Sequence, residues 1–182
     1  VLFTYNGEEN RNQVYAVEVK ATAKANGFPL PPPLAFDAED IATPKDAWQV
    51  GTADAAHWRL WVDDPQGERW YRKTVLVSPP VPANRATPGE GAPVLHLRAT
   101  TVPEGKWDVS VKCSRALGVS LDSGKSWRKI TESDDRLGVF TIPNGVFEVW
   151  IDDRYAMSEN PGPAYLDCLV FRISPGAGPR EK

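Results

Sequence analysis

The chain has 182 residues, seven Trp, a single Met and a net charge of −3 with acids and bases interspersed. This length suits one domain of ordinary size with a sizeable core and some extra chain. The charge pattern argues against a basic nucleic-acid face, and no apolar run approaches the length of a membrane span. Two cysteines make no disulfide scaffold, and two histidines offer no zinc-ligand spacing.

Residues 1–19 read as a hairpin, with β-prone runs at 2–5 and 14–19 around a polar loop at 6–10. A brief helical turn is compatible only with residues 21–25. The proline run at 29–33 cannot be helix or central strand and reads as a stiff spacer. Residues 1–34 are therefore expected to be the tail of an upstream domain or an added strand pair. The abrupt start at Val1, with no signal peptide, fits a processed protein or an excised piece of a longer one.

From Phe36 onward strand signals dominate, at residues 58–62, 73–77, 94–99, 107–113, 137–142, 145–151 and 169–173. The run from Trp107 alternates cleanly and places Val109, Val111 and Cys113 on a core face. Cys113 and Cys168 fall on separate strands, as a single bridge or as two buried free thiols. Residues 78–93 form a long Pro- and Gly-rich loop, and 175–182 read as a flexible tail. Strand after strand with such turns predicts an all-β, antiparallel β-sandwich over residues 35–174, carrying an N-terminal β-hairpin extension.

Two strands carry acids where apolar residues would pack better. Asp37 and Glu39 lie two apart in the run 36–40, so in a strand both face one way. Two such carboxylates repel unless a cation sits between them, and Asp167 opens the last apolar strand. Oxygen ligands from the first and last strands would clip the ends of the domain together around calcium. The plainer reading makes Asp37 and Glu39 solvated strand-edge acids.

In these residues the chain resembles the jelly-roll carbohydrate-binding modules of families six, thirty-five and thirty-six, over roughly residues 35–173. Those modules open with a Glu-Ala-Glu-like strand and close with an Asn-Leu-Asp-Tyr-like strand, whose acids hold a structural calcium. The resemblance implies a jelly roll, with Asp37, Glu39 and Asp167 as the metal ligands. It implies a ligand cleft in the loops before the last strand, where Tyr155 and Asn160 are candidates for stacking on and hydrogen-bonding to sugar. One departure is Tyr165, which stands where the family pattern has a sugar-contacting Asn. Either Tyr165 binds by stacking in place of that hydrogen bond, Asn160 serves instead, or the cleft does not bind in the family's way.

The aromatics support a sugar surface independently, because pyranose rings present apolar C–H faces to flat side chains. Trp70 and Tyr71, beside Arg69, Arg72 and Lys73, are the candidates, with a core role as the alternative for any single Trp. Trp107 and Trp127 are assigned to packing. Residues 120–127 match the Asp-box pattern, with Ser126 for Thr: Asp122 bonds turn amides, Gly124 supplies a positive φ, and Trp127 packs on the strand. One box in so short a chain makes no propeller. The Trp61–Asp64 and Trp150–Asp153 segments echo each other, as strand ends capped by Asp or as part of a cation or sugar site.

No nucleophile–base pairing, nucleophile elbow or phosphate loop is present, and no spacing marks a glycosidase carboxylate pair. The expected function is that of a non-catalytic carbohydrate-binding module in a secreted, extracellular polysaccharide-degrading enzyme. Its partners would be a polysaccharide or oligosaccharide and a catalytic domain of the same polypeptide. A structural spacer with the same fold is the alternative, and a small polysaccharide hydrolase or lyase a more distant one.

Overall fold

The computed structural model describes residues 3–5, 13–15, 33–50, 56–62, 70–157 and 162–174. The chain divides into two compact units, Val1–Pro31 and Pro32–Lys182. In the first, β1 (Phe3–Tyr5) and β2 (Gln13–Tyr15) pair antiparallel, with Phe3 opposite Tyr15. The helical turn expected at residues 21–25 lies outside the described residues.

The second unit is an all-β sandwich of two packed sheets. Its elements are β3 (Leu34–Asp37), α1 (Ala38–Ile41), β4 (Ala42–Thr43), β5 (Trp48–Val50), β6 (Trp58–Val62), β7 (Thr74–Val77), β8 (Leu95–Ala99) and β9 (Gly105–Ser114). They continue as β10 (Leu117–Ser120), β11 (Arg128–Ile130), β12 (Arg136–Ile142), β13 (Phe147–Asp152) and β14 (Tyr165–Ile173). One sheet runs β12-β9-β14-β7-β6-β5, with β3 also on β14, and the other runs β11-β10-β13-β8-β4. Counting β7 to β14 as first to eighth, the sheets read sixth-third-eighth-first and fifth-fourth-seventh-second. That is jelly-roll connectivity. Pairing in this unit is antiparallel except at the sheet edge, where β5 runs parallel to β6.

The core follows from period-two patterning. Trp107, Val109, Val111 and Cys113 of β9 bury against Leu95 and Leu97 of β8 and Phe147, Val149 and Ile151 of β13 in one cluster. Phe171 on β14 meets Phe36, Trp107 and Phe147 edge to face, at centroid distances of 5.5, 6.4 and 5.4 Å. Cys113 and Cys168 are both buried and free, which decides between the two cysteine readings. Burial, before any neighbouring charge, pushes the Cys113 thiol up to about 12 and raises that of Cys168 as well.

One expectation is corrected. The strand of residues 36–40 stops at Asp37, and Ala38–Ile41 forms one helical turn. The reason is the sandwich itself: β3 belongs to one sheet and β4 to the other, so the chain must turn a corner between them. Fully buried Ala38 is small enough to pack inside that corner. Glu39 therefore does not share a strand face with Asp37.

The proline-rich loop between β7 and β8 is firmly anchored. Val81 N–H donates to the Gly162 carbonyl (3.2 Å), Arg85 N–H to that of Arg154 (2.9 Å), and Ala156 N–H to the Asn84 side chain (2.8 Å). Between β10 and β11 the Asp122 carboxylate accepts the Ser126 N–H (2.9 Å) and hydroxyl (2.6 Å). Those bonds to Ser126 hold the Asp122 carboxyl down at about 2. Gly124 takes φ +83°, and its carbonyl accepts the Trp127 indole N–H at 2.9 Å.

Candidate functional site

The pairing of β3 with β14 sets Asp37 opposite Cys168, next to Asp167. On its other side β14 is bulged: Leu166 and Cys168 face Cys113 and Lys112, consecutive residues of β9, so Asp167 is the extra residue. A bulge re-aims a side chain out of the regular alternation. Asp167 is left buried, and both its carboxylate oxygens accept the backbone N–H of Tyr71, at 3.0 and 3.2 Å.

A cavity of about 100 Å³ opens beside it, lined by Asp37, Glu39, Asp40, Arg72 and Thr74. One Asp37 oxygen, Oδ2, accepts from Arg72 Nη1 at 2.9 Å, and Asp40 Oδ2 lies 3.2 Å from the same nitrogen. Three buried oxygens have no hydrogen-bond partner: Asp37 Oδ1, Glu39 Oε2 and Thr74 Oγ1. Lys45 Nζ donates to the Glu39 and Asp40 carbonyls at 2.6 and 3.2 Å, tying α1 down from below.

The electrostatics follow from this crowding. Asp37 is pushed up to about 6, by burial first and then by Glu39, with Arg72 pulling the other way. Asp167 is pushed up to about 7, again by burial first, and the Tyr71 N–H only partly offsets it. Both folded-state values lie above the ordinary 3.8, so the folded chain binds protons more readily than the unfolded one. In chelator, the melting temperature should therefore rise as pH is lowered from about 8 to about 5. A flat or falling profile in a thermal scan across that window would refute this. Asp122, held at about 2, acts with the opposite sign only below that window.

The oxygen-only donors suit a hard divalent cation in kind. Among the described residues, however, no three acids stand in an arrangement that could hold a metal ion as they are. Arg72 already brings a positive charge to the mouth of the cavity.

Of the aromatic candidates, Trp70 and Tyr165 come together, stacked at 5.5 Å and 13°. Trp61 adds a third ring 6.5 Å from Tyr165, and Arg59 lies 5.1 Å over Trp61. This row packs on Val75 and Val77, on the opposite side of β7 from the main-core residue Leu76. Tyr71, next to Trp70 in sequence, is 43% exposed, and its backbone N–H is held by Asp167. Tyr155 lies elsewhere, against Gly118 of the five-stranded sheet, with Arg154 and Lys129 over its ring at 5.5 and 5.9 Å. Asn160 lies outside the described residues.

Near the end of the loop after β13, Ser114, Arg115, Thr131, Glu132, Ser133 and Met157 line a groove of about 530 Å³. Sequence reasoning missed Asp40, Arg72 and Thr74. Asp40 continues an acidic run and was within reach, whereas nothing local marks Arg72 or Thr74. Among the described residues no helix is long and apolar enough to cross a membrane. No protein-family model and no curated protein matches the chain.

Proposed function

We propose that this chain is a non-catalytic carbohydrate-binding module, stabilised by calcium and carried by a secreted polysaccharide-active enzyme. One observation carries the reading. Beside a jelly roll, the acid at the end of β3 is brought next to Asp167 of the last strand, β14, and two nearby buried oxygens lack partners, Asp37 Oδ1 and Glu39 Oε2. The site residues would be Asp37, Glu39 and Asp167 for the cation. For sugar, the row Trp70, Tyr165 and Trp61 is a rigid base from which Tyr71 presents an open ring. Calcium, when bound, would neutralise the acid cluster. This chain's own part is to fix the Trp70–Tyr71 segment, through the Tyr71 N–H on Asp167, to the end of the domain that the cation clips. Weak aromatic binding of this kind works by tethering, raising the local concentration of an attached catalytic domain at its substrate.

Affinity electrophoresis against a panel of soluble polysaccharides tests this. At least one glycan should retard the protein, and Tyr71→Ala should weaken the retardation about tenfold. Migration unchanged by every polysaccharide would sink the reading.

A second reading rests on a different surface. Val50 is 72% and Val62 47% exposed at the β5–β6 sheet edge, around Leu60 and Trp61. An apolar edge of this kind suits a spacer that packs against a neighbouring domain and has no affinity for sugar.

A further inference from the structure

We propose that Arg72 is a built-in competitor for the cation: its guanidinium holds the acidic cavity closed, and a divalent ion binds by exchanging with it. This rests on the calcium reading above and adds how that site is regulated. It also makes Thr74 the neutral oxygen ligand.

The geometry supports exchange rather than a permanent ion pair. Arg72 Nη1 bridges Asp37 Oδ2 and Asp40 Oδ2, yet the Arg72 side chain is 64% exposed and can swing into water. It satisfies only one oxygen of Asp37. The other, Oδ1, stays buried without a partner, as do Glu39 Oε2 and Thr74 Oγ1 of the same cavity. Two carboxylates and a hydroxyl, all hard oxygens, are thus left for a ligand that a planar guanidinium at the rim cannot reach. About 100 Å³ admits one cation with a few of its waters.

The backbone adds a second argument. Arg72 and Lys73 both take left-handed φ values, +52° and +63°. Two adjacent non-glycine residues in that region carry a conformational cost that the surroundings must offset. Within the segment the offsets are the Arg72 bridge and the Tyr71 N–H on Asp167. Releasing Arg72 removes one of them and leaves the Tyr71 N–H on Asp167 as the segment's remaining tether, with Trp70 still stacked on Tyr165.

Calorimetric titration of the full chain with calcium chloride after chelator treatment tests this, using wild type, Arg72→Gln and Arg72→Lys. Arg72→Gln removes the competing charge and should bind calcium at least about tenfold more tightly than wild type. Arg72→Lys keeps the charge and should stay close to wild type. Binding by Arg72→Gln alone would support the proposal in its strongest form. Calcium binding by wild type that equals or exceeds that of folded Arg72→Gln overturns the competition and leaves the calcium reading standing. Tightening in Arg72→Lys equal to that in Arg72→Gln overturns it too, since charge would not be what competes. No binding by any of the three overturns both. Circular dichroism melts identify an unfolded variant, and if Arg72→Gln fails to fold, a tightened Arg72→Lys still overturns the proposal.

Discussion

Asp153→Ala should destabilise the sandwich by about 3 kcal/mol, the low end for breaking a buried ion pair. Asp153 is fully buried just beyond β13, with Oδ1 3.0 Å from Arg85 Nη1 and Oδ2 accepting the Ala92 N–H at 3.3 Å. Burial raises its pKa and Arg85 is the chief opposing influence. Without the carboxylate, the Ala92 amide loses its partner, and Arg85 keeps only its 3.4 Å bonds to the Asp153 and Pro80 carbonyls. The low end applies because Arg85 is only partly buried and reaches some water. Asp152 works alongside, accepting the Gly89 N–H at 2.7 Å and the Arg154 N–H at 3.0 Å. Together the two acids hold the β7–β8 crossover on the end of the sandwich. Urea unfolding measures the loss, and a stability within about 0.5 kcal/mol of wild type would refute it. Gly91→Ala attacks the same clasp from the other side, since its new Cβ would lie 2.0 Å from Arg85 Nη1 and 2.6 Å from Asp153 Oδ1. Because both changes break one pair, the double variant should lose less than the sum of the singles.

These two acids also show where a sequence stops being legible. The Trp150–Asp153 segment stands out as an echo of Trp61–Asp64, and the strand end it suggests is present. Its acids look like caps of a local turn, and Asp152 does cap the Arg154 amide, but Asp152 and Asp153 also accept amides 63 and 61 residues upstream. Local pattern carries local partners only. The alternation of Trp107, Val109, Val111 and Cys113 was legible because a half-buried strand imposes period two whatever it pairs with. The placing of Asp37 next to Asp167 was legible for a different reason: acids interrupting the first and last apolar runs suggest a shared cation between the ends of the domain, as the family resemblance also implies. The turn at Ala38–Ile41 was not, because it exists to carry the chain between sheets. Arg72 was invisible for a further reason. Its place at the acids depends on left-handed backbone at two ordinary residues, which no composition signals. Tyr155 is, with Asn160, a cleft-loop candidate from the family resemblance, and the structure sets its ring against Gly118 of the five-stranded sheet, while Tyr165 lies on β14 of the other sheet.

Restoring calcium to chelator-treated protein should raise the melting temperature by about 5–10 °C when calcium stands about a hundredfold above its Kd. At that ratio linkage gives about 2.7 kcal/mol, and a domain of this size shifts by about 2–4 °C per kcal/mol. Asp37→Asn makes the test specific, because its two expected effects differ in sign. In chelator the wild-type carboxyl, pushed up to about 6 by burial and by Glu39, is held ionised at pH 8 against its surroundings. A neutral amide of the same shape removes that cost, and its oxygen can still accept from Arg72 in place of Asp37 Oδ2. The variant should therefore melt no lower than wild type in chelator, and it should lose most of the calcium response. An acid serving only as the anion of a structural ion pair would behave differently: its replacement would lower the melting temperature equally with and without calcium. That second pattern would leave Asp37 as the partner of Arg72 and remove it from the calcium site.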